Sequence, residues 1–161
     1  MTDDHPLADD ITEWDFATGE ALEITSASKA NLRYWHATGI VGPTPHWGGG
    51  SGHHKRWLFT DLVTAEIVWR LADEIGYDID RLRGKDLGLN IQLAQAMFGW
   101  DLAVVLTPQE VSVRATSTVQ GVIEQGLIDA VRPALTVVAL VEPVATQLAN
   151  TARSLRAETP I

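Results

Sequence analysis

The chain has 161 residues, 45% of them hydrophobic, which is enough to bury a core as one domain or two small ones. No apolar run approaches the roughly 18 residues needed to span a bilayer, and the start MTDDHPLADD is acidic where a secretory leader would be basic and then apolar. A soluble cytoplasmic protein is therefore expected, with no membrane partner. The lack of cysteine excludes disulfides, thiolate metal sites and cysteine nucleophiles together.

A net charge of −9 argues against a chain-wide basic surface, but the charge is unevenly spread. Residues 1–23 hold eight acids and no Lys or Arg, whereas residues 28–58 hold no acid at all. That second stretch contains Lys29, Arg33, Lys55 and Arg56, together with His36, His46, His53 and His54. Local field rather than net charge decides whether a polyanion can dock, so the basic island is the first functional lead.

In chain order, residues 1–17 lack periodicity and read as a mostly disordered acidic arm, with Trp14 and Phe16 anchoring its end. Thr18 to Ile24 predicts a short helix offering Ala21, Leu22 and Ile24 for packing. TSAS then breaks the chain and supplies Ser28 as an N-cap for a helix over Lys29 to Ala37. Leu32 and Trp35 form its inner face, and Gly39 follows as the C′ residue. Two helices joined by three or four residues give a helix-turn-helix outline.

Ile40 and Val41 read as a buried, strand-like exit before the turn GPTP. The glycine-rich stretch HWGGGSGHHKRW follows at 46–57, and KRWLF returns in extended form. Thr60 is expected to cap a long helix to about Ile75, stopped by Gly76, with Leu62, Ala65, Ile67, Val68, Leu71, Ala72 and Ile75 on its core face. Residues 79–98 suggest one or two helices interrupted near Gly84 and Gly88. Alternation predicts strands at about 101–107 and 110–116 around a Thr-Pro-Gln-Glu turn. A glycine-containing helix over 118–131, a third strand near 134–141 and a closing helix with Pro143 in its first turn complete the chain. The fold class is α+β.

The stretch ANLRYWHATGIVGP, residues 30–43, resembles the MerR family of transcription regulators, whose "TLRYYE" helix is followed by "GLL-P". Leu32, Arg33 and Tyr34 match, Trp35 replaces the second tyrosine, and Ser28 stands at the helix-starting serine. Downstream, KRWLFTDLVTAEIVWRLADEIG resembles "RRYTFQDL…LR…L…G", with Arg56, Trp57, Phe59, Asp61, Leu62 and Gly76 in register. The resemblance covers residues 18–84. It implies a winged helix-turn-helix that binds double-stranded DNA as a homodimer on a palindrome-like operator. Ser28, Lys29, Asn31 and Arg33 would then face the groove or the phosphates, and Tyr34 would touch the backbone. Lys55 and Arg56 would be the basic pair at the return of the wing, with His53 and His54 beside them at its tip.

The chemistry of those residue types agrees. Lys and Arg neutralise phosphates, helix N-terminal amides favour anions, Asn31 can pair with adenine and Lys29 can reach guanine. The wing is longer and more glycine-rich than the family's. The family's long dimerisation coiled coil is not evident after residue 84, as in shorter, actinobacterial-type relatives. Residues 85–161 thus read as a separate C-terminal α/β part for dimerisation or for a small-molecule or protein effector.

Other chemistries find less support. His46, His53 and His54 lack the three or four well-placed donors that zinc wants, so no metal and no cofactor is expected; GGGSG also has the composition of an inserted linker. No phosphate loop, dinucleotide fingerprint, nucleophile elbow or HExxH motif occurs, so the chain is not expected to be an enzyme. Two other readings stay open: an architectural or accessory DNA binder (excisionase-like, or an antitoxin), and a protein-interaction module whose helix-turn-helix no longer binds DNA.

Overall fold

Ten regular elements, described in a computed structural model for residues 5–42, 56–108, 110–119 and 137–158, build a mixed helix-and-sheet fold. In order they are β1 (Asp15–Ala17), α1 (Thr18–Ile24), α2 (Lys29–Ala37), β2 (Arg56–Leu58), α3 (Phe59–Glu74), α4 (Leu87–Phe98), β3 (Leu102–Leu106), β4 (Val111–Ala115), β5 (Val137–Leu140) and α5 (Val141–Glu158). Short 3-10 turns lie at Asp9–Glu13, Ile79–Leu82 and Thr116–Thr118. No described helix is long and apolar enough to cross a membrane.

The strands form two antiparallel sheets. In the smaller, β1 pairs with β2 so that Phe16 faces Trp57 across the ladder. In the larger, β3 lies between β4 and β5, and every residue of β3 is buried. The hairpin β3–β4 and the third strand fall where alternation and the apolar run placed them. The helix expected over 118–131 lies almost wholly outside the described residues.

α3 is the axis of the molecule. From Phe59 to Val68 every residue is buried, including Thr60, Asp61, Thr64 and Glu66, because α4, α5 and the first 3-10 turn all pack on it. Its N-terminus is capped by Asp61, whose Oδ2 accepts from the Leu58 N–H at 2.8 Å, and not by Thr60 as the sequence suggested. A carboxylate in the first turn also suits the positive end of the helix dipole. Ile75, expected in the core, is exposed just beyond the helix end. Gly88 does not interrupt α4 but lies within it, opposite Thr64 of α3.

The acidic N-terminal residues are not a disordered arm from residue 5 onward. Leu7, Ile11 and Phe16 are buried in the main core, and α5 fastens the segment from the other end of the sequence. Arg153 donates from Nε to the Pro6 carbonyl and from Nη2 to Asp10 Oδ1, both at 2.9 Å. Arg156 donates to the Asp15 carbonyl at 2.7 Å, and its guanidinium lies over the rings of Trp14 and Phe16. Acid-rich composition predicted disorder, yet these acids and aromatics are what the two arginines grip. Among the described residues one apolar cluster runs from Leu7 to Ala152 and so joins residues 18–84 to 85–161, while a smaller one, Ala103, Val105 and Val119, lies within 85–161.

Candidate functional site

α1 and α2 are joined by Thr25–Ser28, and the joint is held from outside. Glu66 of α3, 2% exposed, accepts from the Ser26 N–H at 2.7 Å and from the Ser26 hydroxyl at 2.9 Å. Arg70, one turn along α3, donates from Nε to the same carboxylate at 3.2 Å and also reaches Gln147 of α5. A buried carboxylate is tolerated only when so satisfied.

α2 starts and stops where local signals direct. The Ser28 hydroxyl accepts from the Asn31 N–H at 3.0 Å, and Asn31 Oδ1 accepts from the Ser28 N–H at 2.9 Å, a reciprocal capping box. At the far end Gly39 takes φ 74°, a left-handed conformation that only glycine adopts without strain. It turns the chain so that Ile40 N–H bonds the Trp35 carbonyl at 2.9 Å, and Ile40 and Val41 enter the core through a bend, not a strand. Leu32 and Trp35 face inward as expected.

The outer face carries Lys29 and Arg33, four residues apart and therefore on one side of the helix, both exposed. Neither has an ion-pair partner among the described residues, and α2 has no acidic residue. Of the described Lys and Arg, Arg56, Arg70, Arg83, Arg114, Arg153 and Arg156 pair with carboxylates. Only Arg81 and Lys85 share the unpaired state of Lys29 and Arg33, and both line an open cleft of about 340 Å³ with Tyr77, Thr107 and Glu110.

Tyr34, the third residue of the exposed set, is engaged. Its hydroxyl donates to Asp80 Oδ1 at 2.8 Å and accepts from Arg83 Nη2 at 2.6 Å, while the Arg83 guanidinium lies 5.7 Å from its ring centroid. The hydroxyl bond, with the charge of Asp80 behind it, raises the Arg83 pKa further above its ordinary value. Sequence reading missed this link because Asp80 and Arg83 lie nearly fifty residues further along the chain, beyond the reach of any local signal. Arg56 is likewise engaged, in an ion pair with Asp15 across the β1–β2 sheet. Asn31 is half-buried and spends its side-chain oxygen on the cap. His53, His54 and Lys55, with the rest of the glycine-rich stretch, lie outside the described residues.

The arrangement is therefore a short helix pinned at both ends, with no acid of its own and with Asp80 at the tip of Tyr34, presenting two cations that have no ion-pair partner among the described residues. Such cations attract polyanions by Coulomb force and counterion release. No protein-family model matches the chain, and no curated protein matches it.

Proposed function

We propose that the chain is a sequence-specific, dimeric DNA-binding transcription regulator of MerR type. In this reading α1 and α2 form a helix-turn-helix, α2 enters the major groove, and the segment between α2 and β2 is the wing. The observation that carries the reading is the pair Lys29 and Arg33, exposed and unpaired on α2 in a protein whose other described cations are mostly neutralised. The Ser28 cap at the N-terminus of α2 and the Glu66 clamp on the joint support it, since a groove-reading helix has to be held at a fixed angle. Arg56 contributes positive potential at the return of the wing, although Asp15 tempers it.

A protein-interaction module is the competing reading, and one observation favours it: Asn31 and Tyr34 already have protein partners. Selection from a pool of random duplexes, followed by titration of the enriched duplex at several salt concentrations, separates the two. The regulator shows two half-sites about one helical turn or more apart and an affinity that falls steeply with salt. Arg33→Ala and Lys29→Ala each lower the salt slope by about one. No enrichment and no salt-dependent binding would sink the DNA reading; loosely spaced coating of any duplex would point to an architectural binder.

A further inference from the structure

Two cations away from α2 are also uncommitted, and they share a cleft. After α3 the chain makes the 3-10 turn Ile79–Leu82, and the side chains of this segment have different fates. Leu82 is buried in the core, while Asp80 and Arg83 are spent on Tyr34 of α2. Arg81 and Lys85 are exposed and take no carboxylate partner among the described residues. With Tyr77 they line one side of the cleft of about 340 Å³. Tyr77 is half-buried; its N–H bonds the Leu71 carbonyl, but its hydroxyl has no hydrogen-bond partner among the described residues. The opposite wall is the end of the β3–β4 hairpin, with Pro108 and Val111 as its apolar lining. Thr107 fixes that wall: its N–H bonds the Glu110 carbonyl at 2.9 Å, and its hydroxyl accepts from the Glu110 N–H at 3.0 Å. Glu110, the acid that lines the cleft, has its carboxylate 3.3 Å from Arg114. Asp78 and Asp86 belong to the same segment but are used elsewhere. Asp78 caps the turn by accepting from the Asp80 N–H, and Asp86 lines a different cavity.

We infer that this cleft is a binding site for a small organic phosphate, a phosphate monoester with an apolar or aromatic body. The unspent donors select it. Arg81 offers a planar fork, Lys85 a compact charge and Tyr77 a phenol, a set that suits the acceptor oxygens of one phosphate. Two free cations beside a neutralised acid call for a ligand of charge about −2, which a phosphate monoester carries above about pH 6. Pro108 and Val111 offer nothing to a bare ion, but they remove water from a carbon skeleton. The volume lies at the small end of ligand sites, with room for one such ester and not for a duplex. The site is independent of the DNA reading, and its test contains no nucleic acid, so either can fail alone.

The test is a titration of the full chain with phenyl phosphate at about pH 7.5, where the ester is a dianion, followed by backbone amide chemical shifts. Inorganic phosphate and benzoate are titrated in parallel. Saturable shifts centred on residues 77–85 and 107–111 are expected, with a Kd of about 1 mM or tighter. Inorganic phosphate, which has no body, and benzoate, which has one charge, are each expected to bind several-fold more weakly. Arg81→Ala and Lys85→Ala are each expected to weaken phenyl phosphate about tenfold, as the loss of a charge-assisted hydrogen bond does. Both residues are exposed, so the remaining amide spectrum stays as in the wild type. Glu110→Gln is expected to tighten binding, because it removes the negative charge beside the ligand. A titration that does not saturate by about 20 mM overturns the inference, and so do shifts centred on α2 or full affinity in both alanine variants. Benzoate binding as tightly as phenyl phosphate overturns the assignment to phosphate. Inorganic phosphate binding as tightly shows a mere attraction of charge and overturns the cleft.

Discussion

Glu66 and Ser26 are forty residues apart in sequence, yet the buried carboxylate takes both the N–H and the hydroxyl of that serine. The joint between α1 and α2 is thus held by α3 as well as by the bonds that Thr25 makes within the turn. Replacing Glu66 with alanine removes the acceptor of both Ser26 donors and frees Arg70. The expected loss is about 2–4 kcal/mol, from the charge-assisted hydrogen bonds that a buried carboxylate makes to them. In a chain of this size that lowers the melting temperature by roughly 5–15 °C. Glu66→Gln keeps an acceptor and is expected to lose less. A calorimetric scan of the alanine variant at the wild-type temperature would show that the clamp contributes nothing.

The capping box on α2 makes a separable prediction. Ser28→Ala is expected to cost about 1 kcal/mol in denaturant unfolding, and Asn31→Ala somewhat less. The two losses do not add, because each residue serves the other's N–H. On the proposed DNA-binding reading, an Asn31 that acts only in the cap would weaken binding to every duplex equally when substituted. A changed base preference in Asn31→Ala would mean that it also reads a base.

Tyr34→Phe keeps the ring and removes the hydroxyl that joins Asp80 to Arg83. All three side chains are exposed, so global stability is expected to move by less than about 1 kcal/mol. The local effect is larger: amide exchange across Ile79–Leu82 is expected to speed up while that of α3 stays unchanged. Equal protection in both proteins would show that the hydroxyl is not what fastens this turn to α2.

The grip of α5 on the N-terminal residues is expected to depend on acid. The hydrogen bond from Arg153, reinforced by its charge against a small desolvation cost, holds the Asp10 carboxyl below its ordinary value of 3.8. A depressed carboxylate stabilises the fold fully above that ordinary value, and the contribution is lost as pH falls through the lower folded value. The protection of the Ile11–Glu13 amides, relative to their intrinsic exchange rates, is therefore expected to fall below about pH 4, and Asp10→Asn to abolish that part of the response. An unaltered acid profile in the variant would assign the response to another group.

What the sequence made legible was local. The limits of α2, its serine cap, its inner pair Leu32 and Trp35 and its glycine stop follow from forces acting within a few residues, and the structure has all of them. The β3–β4 hairpin is local in the same sense. What stayed hidden depends on partners far along the chain. Leu7, Ile11 and Phe16 have no period, and only α5 gives their segment order. Glu66 carries no local sign of its role, which follows only from the burial of α3 on every side. The basic face was half legible: Lys29 and Arg33 are exposed as expected, while Arg56 and Tyr34 proved to be committed elsewhere.

The clasp of Arg153 and Arg156 on Pro6, Asp10, Trp14 and Asp15 also sets a timetable. A ribosome adds roughly 5–20 residues per second, so residues 6–15 wait on the order of ten seconds before the arginines that hold them are made. During that interval β1 and the first 3-10 turn have only part of their packing, and Leu7, Ile11 and Trp14 are open to chaperones or to neighbouring chains. α1 and α2 can form early, but the platform beneath them closes last, when α5 leaves the exit tunnel. Damage to the final helix would therefore be felt first at the opposite end of the chain.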